Sequence, residues 1–119
     1  MPLGIQQNNN FAQIIVDIWN DKVFYQEQEF PAGFMAASIL SISETAGLGM
    51  KAGEVLIPQF AGKKAQSFVY TKSGAVADNE IDAISGATIT TKAVTNIVNT
   101  GVDLYNSVFA LSLIHISEP

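Results

Sequence analysis

From Asp82 to Val98 the chain reads Asp-Ala-Ile-Ser-Gly-Ala-Thr-Ile-Thr-Thr-Lys-Ala-Val-Thr-Asn-Ile-Val, a Ser-Gly-Ala-Thr turn running straight into an amphipathic helix. Such a junction puts the Thr88 hydroxyl where a helix begins, beside Gly86, which lets other atoms approach the backbone. The unpaired N–H groups of a first helical turn and the positive end of the helix dipole both favour an anion there, a phosphate above all. A helix terminus gives an anion at most about 2 kcal/mol, a factor of roughly 30 in affinity. That is too little to retain a free nucleotide without a deep pocket. Thr88 also lacks the partners of a self-activated nucleophile, since no histidine base or second activating group stands at recognisable spacing, and no catalytic residue is assigned.

A second stretch, Ser43-Glu44-Thr45-Ala46-Gly47-Leu48-Gly49, carries two glycines two apart. Glycines so placed permit positive φ and leave a backbone surface without side chains, against which a flat ring could lie. Most loops of this kind are simple turns. Lys63 and Lys64 either face a phosphate or, as adjacent lysines usually do, line a solvated face.

The elements that must position these residues follow from periodicity. A final helix is expected over about Thr90–Phe109, capped by Thr90 or Thr91. Ala93, Val94, Ile97, Val98, Gly101, Val102, Tyr105, Val108 and Phe109 form its apolar stripe, with Thr95, Asn96, Asn99, Asp103 and Asn106 opposite. Met35–Ser43 suits a buried strand through Ile39, Leu40 and Ile42, and Ser67–Thr71 a second strand ended by Lys72-Ser73-Gly74. Pro58 and Gly62 bracket a short segment whose Phe60 fills the core, and Ala77–Glu80 is a polar turn. Phe11–Trp19 fits either a strand or a helix, and Gln6–Asn10 reads as a loop or frayed end. The expected fold class is α+β: a small mixed sheet packed against helices.

Composition narrows the function. The 119 residues suffice for one core. With 48% apolar and 14% charged residues the chain is not a disordered tail, and a net charge of -5 argues against nucleic acid as a partner. The absence of cysteine removes disulfides, thiolate-bound metals and iron–sulfur clusters, and no metal site is expected. No apolar run reaches the roughly 18 residues of a membrane span, and no secretory signal is visible.

The two motifs together resemble the FMN-binding domain family, whose flavinylation motif ends in Ser/Thr-Gly-Ala-Thr and whose earlier signature is Glu-Thr-Pro-Gly-Leu-Gly, with Ala46 here in the proline position. The resemblance runs from about Ser38 to Ser107 and is greatest to the G subunit of Rnf-type ferredoxin:NAD oxidoreductases, then to the C subunit of the sodium-pumping NADH:quinone reductase. It implies a covalent FMN electron carrier, with FMN phosphoester-linked to Thr88. Ser85 and Thr90 would hydrogen-bond the phosphate, Gly86 and Ala87 would complete the turn, and Glu44, Thr45, Gly47, Leu48 and Gly49 would lie beside the ring. The chain has few aromatics to stack on a flavin, so a shallow, tethered cofactor is expected. A separate Mg-dependent flavin transferase, using FAD as donor, would attach it. Other implied partners are the remaining subunits of a membrane electron-transport complex coupled to ion transport, on its extracytoplasmic face. The anchoring helix of such proteins is expected to be missing from this stretch or absent from the protein.

Two other functions fit the residues: the flavin-carrier module of a larger extracytoplasmic reductase, and a non-redox, phosphate-binding α+β module. Residues 36–110 are expected to be the domain. Residues 1–35 lack the family's glycine-rich strand pair and are expected to be divergent, truncated or read from a wrong frame. Leu111–Pro119, Leu-Ser-Leu-Ile-His-Ile-Ser-Glu-Pro, resembles a translated sequencing adapter and is expected to be a non-native tail, so His115 is given no role.

Overall fold

A computed structural model describes residues 2–19, 22–25, 27–43 and 48–117, with the backbone alone for 2, 3, 23, 25, 48, 49 and 109–117. Its largest element is an antiparallel sheet of four strands in the order β1-β2-β5-β6. β1 (Pro2–Asn8) and β2 (Ala12–Trp19) form a hairpin, and β2 pairs in turn with β5 (Phe34–Ile42). Strand, not helix, is the state of residues 12–19, and burial shows why. Ala12, Ile14, Val16 and Ile18 alternate into the core while Gln13 points to solvent, a period of two that a helix could not satisfy.

The Gln/Asn run at residues 6–10 is not a loop throughout. Gln6, Gln7 and Asn8 pair with Ile15, Ile14 and Gln13, so the ladder overrides their weak strand preference. Only beyond Asn8 does the chain turn, with the Asn9 side-chain oxygen accepting from the N–H groups of Phe11 and Ala12. In β5 the buried residues are Met35 and Ala37, whereas Leu40 is half exposed. The register slips between Gln13 and Ile14, which leaves Leu40 as an extra residue in a bulge. A small hairpin of β3 (Val23–Tyr25) and β4 (Gln28–Phe30) lies between β2 and β5, and β6 (Lys63–Lys64) adds two residues to the β5 edge.

Leu48–Phe60 is helical in three contiguous pieces: α1 (Leu48–Lys51), a π-helical turn (Ala52–Leu56) and α2 (Ile57–Phe60). The Ile57 N–H reaches back five residues to the Ala52 carbonyl, and Pro58, which has no N–H to donate, follows directly. A proline in that place accounts for the widened turn. Phe60 is fully buried, edge-on to Phe68 with ring centroids 5.1 Å apart.

The chain ends in α3 (Thr88–Ser117), which packs on β1 and β2. It starts at Thr88, two residues ahead of the expected start, so neither Thr90 nor Thr91 caps it. Its buried residues are Thr90, Thr91, Val94, Thr95, Ile97, Val98, Gly101, Val102 and Tyr105. Thr95 therefore belongs to the core side, its hydroxyl donating to the Thr91 carbonyl at 2.8 Å, while Val108 is 53% exposed. At Gly101 the helix packs tightly on the sheet: a Cβ there would stand 3.0 Å from Val16 Cγ2. Among the described residues no helix is long and apolar enough to cross a membrane.

Candidate functional site

Between Phe60 and α3 the chain makes two short parallel strands, β7 (Val69–Thr71) and β8 (Glu80–Asp82), which pair only with each other. Two three-residue strands are marginal on their own. Side-chain amides supply the missing neighbours. Asn99 of α3 donates to the Phe68 carbonyl and accepts from the Phe68 N–H, both at 2.8 Å. Gln59 of α2 does the same for Asp82, accepting from its N–H at 2.7 Å and donating to its carbonyl at 3.1 Å. Each amide thus imitates the peptide of an adjacent strand. Asn99, expected on a solvated face, is half-buried for this reason.

The loop joining the strands is tied at several points. The Asp82 carboxylate accepts from the Ala75 N–H, and Glu80 accepts from Val76 and Ala77. Those two N–H groups hold the Glu80 carboxyl below its ordinary value, the Ala77 bond contributing most. Thr71 accepts from the Ser73 N–H, and Gly74 takes φ +99°.

Past β8 the Ala83 N–H donates to the Thr71 carbonyl, and then the chain turns sharply. The Ala87 N–H bonds the Ile84 carbonyl at 3.0 Å, and Gly86 sits at φ +76°. Ser85 has no positive φ, so this is a type II turn with glycine where that turn requires it. Thr91 locks the turn to the helix. Its fully buried hydroxyl accepts from the Ile84 N–H at 3.1 Å and donates to the Ala87 carbonyl at 2.9 Å. Sequence reasoning offered Thr91 only as a cap; a hydroxyl three residues after the last motif threonine is the signal for this brace.

A pocket of about 190 Å³ opens at the carboxyl ends of β7 and β8, against the first residue of α3. Lys72, Ala83, Ile84, Ser85, Gly86 and Thr88 line it. Ser85, Gly86 and Thr88 are thereby brought together as the motif suggests. Nothing lies within 4 Å of where a Gly86 Cβ would project, so the turn faces open space. Ala87 is buried beneath the turn and contributes its N–H to it. Thr90, two residues on and about 200° around the helix from Thr88, is buried and does not line the pocket.

Glu44, Thr45 and Gly47 lie outside the described residues. Leu48 and Gly49 open α1, so the loop expected over Glu44–Gly49 has become helical by its last two residues. Lys63 reaches the Asp78 carbonyl at 3.0 Å, and neither it nor Lys64 lines the pocket. The pocket's cation is Lys72, which sequence reasoning passed over as part of a turn. Among the described residues no aromatic ring lines the pocket; Trp19 is buried and stacks on Phe30.

What this arrangement can do is receive an anion: backbone N–H groups at a helix start, two hydroxyls and one ammonium surround a small open space. It cannot enclose a large ligand. Pockets that bury most of a small molecule run about 300–1,000 Å³, well above the volume here.

Residues 33–103 match the model of the FMN-binding domain. Over 72 residues the chain is 43% identical to the G subunit of the Na(+)-translocating ferredoxin:NAD(+) oxidoreductase complex of Acetobacterium woodii. That match covers 59% of this chain and 35% of the relative, so the chain spans about a third of the curated protein's length.

Proposed function

The chain belongs to the FMN-binding domain family, and from that premise we propose that it is a covalent flavin electron carrier in which Thr88 bears FMN through a phosphoester. The observation that carries this reading is the position of the Thr88 hydroxyl: at the first residue of α3, in the pocket, two residues beyond Gly86. The residues fit the phosphate end of the cofactor. Gly86 leaves room where a Cβ would intrude, Ser85 adds a hydroxyl donor, and the helix start adds N–H groups. The small volume supports a tether, because a pocket of this size could enclose little of a flavin.

FMN so held supplies reversible electron transfer, and the chain's own part is to bind and orient it. Attachment replaces the Thr88 Oγ–H bond with an Oγ–P bond while the pyrophosphate P–O bond of FAD breaks and AMP leaves. The threonine proton would go to a Mg-dependent flavin transferase, since the described residues of the pocket lining offer no base suited to take it. Glu44, Thr45, Gly47, Leu48 and Gly49 are assigned to the ring's surroundings on the motif alone. By likeness to the Acetobacterium protein, the partners are the other subunits of a Na(+)-translocating ferredoxin:NAD(+) oxidoreductase complex; the motif resemblance alone assigns this domain to the extracytoplasmic face of a membrane.

Coexpression of the chain with a flavin transferase in the same compartment tests the reading. One mass increment of FMN minus water should appear and survive denaturation, and Thr88→Val should abolish it. An adduct persisting in Thr88→Val would move the attachment to Ser85, the other hydroxyl in the pocket.

A further inference from the structure

Lys72 is the one ionisable residue among the described residues that line the pocket. The chain around it is acidic, with 11 Asp and Glu against 6 Lys, so an approaching phosphate meets a repulsive field everywhere except where a cation is placed. Lys72 is exposed and makes no hydrogen bond or ion pair with any described residue. The nearby acid is engaged elsewhere: the Asp82 carboxylate accepts the Ala75 N–H and is not part of the pocket wall. The backbone on either side of Lys72 is fixed, by the Ala83-to-Thr71 bond before it and the Thr71–Ser73 and Ala75–Asp82 bonds after it. A lysine on a fixed backbone, lining the same pocket as the Thr88 turn and without an ion-pair partner among the described residues, is arranged for an anionic ligand.

Resting on the reading of Thr88 as the flavin site, we propose that Lys72 is the charge-pairing residue for the flavin nucleotide's phosphate. It draws the anionic donor to the turn and stays paired with the phosphodiester after attachment. The ammonium, not the hydroxyls, then sets the preference for a phosphorylated flavin. Lys72 is exposed and makes no hydrogen bond or ion pair with a described residue that a substitution would break, so the test reads charge more than folding.

The test uses the full chain with purified flavin transferase, FAD and Mg, reading initial adduct formation by intact mass from low salt to a high-salt limit at which surface charges are screened. Lys72→Gln should slow attachment about tenfold at low salt, equivalent to about 1.4 kcal/mol; Lys72→Arg should retain most of the rate. Added salt should narrow the gap between the two proteins, because it screens the attraction of Lys72 in the wild type and only the repulsion of the acidic chain in Lys72→Gln. Purified adducts are then compared by phosphorus NMR, where Lys72→Gln should shift the phosphodiester resonance. Equal rates in wild type and Lys72→Gln at all salt concentrations would overturn the proposal. So would a slowed Lys72→Gln whose phosphorus resonance is unmoved, since Lys72 would then touch the transferase and not the phosphate. Failure of the wild type to form any adduct would instead sink the assignment of Thr88 itself.

Discussion

Thr91→Val tests whether the turn presenting Thr88 is built by a single buried hydroxyl. Valine nearly matches threonine in shape, so no cavity forms and the change is confined to two hydrogen bonds. The Ala87 carbonyl that accepts from the hydroxyl also accepts the Thr91 N–H at 3.0 Å, and its loss is minor. The Ile84 N–H is different: it is buried, and the Thr91 hydroxyl is its acceptor at 3.1 Å. Leaving a buried donor unpaired costs about 1–3 kcal/mol. A central value of about 2 kcal/mol corresponds to a melting temperature lower by about 8 °C for a domain of this size. Attachment of flavin should slow as well, because the turn would lose its tie to the helix. Thr91→Ser, which keeps the oxygen, should recover most of both quantities. A melting temperature within about 2 °C of wild type, or a serine variant no better than valine, would refute the argument.

Gly101→Val places branched bulk where even a Cβ would stand 3.0 Å from the fully buried Val16, and should destabilise the domain by about 1–3 kcal/mol; an unchanged denaturation midpoint would show that α3 can lift off the sheet at no cost. For Glu80, the folded-state pKa lies below the ordinary 4.5, so its contribution to stability is present above that value and is lost as pH falls through the lowered one. Glu80→Gln should therefore flatten the acid side of the melting-temperature profile, and parallel profiles for the two proteins would exclude the Glu80 carboxylate as a source of that slope.

The parts of the fold legible in the sequence are those whose signal is local. The Ser-Gly-Ala-Thr turn showed itself because Gly86 needs a positive φ and a helix must start after it. The stripe of α3 and the burial of Phe60 followed from spacing and bulk. What escaped depends on partners distant in sequence. Ile14, Ile15 and Ile18 fit two periods until β5 and β1 pair on either side of β2 and choose between them. Gln6 and Gln7 gave no strand signal of their own because the isoleucines opposite them supply the reason for pairing. Thr95 looked polar by type, yet its hydroxyl is satisfied within its own helix and so can face the core.

Gln59 and Asn99 mark the deepest limit of such reading, and they explain how a shallow site can still be a defined one. A lone amide in a sequence is nearly always a surface residue. Here each one closes a two-point bond to backbone more than twenty positions away, at Asp82 and at Phe68. These bonds tie a strand pair that pairs with no other strand to α2 on one side and to α3 on the other. The carboxyl ends of β7 and β8 form the pocket wall, so its geometry depends on how these two helices hold the pair. The ties converge on the turn that carries Thr88. If FMN is tethered there as proposed, the turn is the end at which it would be held, and the rest of the cofactor would be left for an electron-transfer partner to reach.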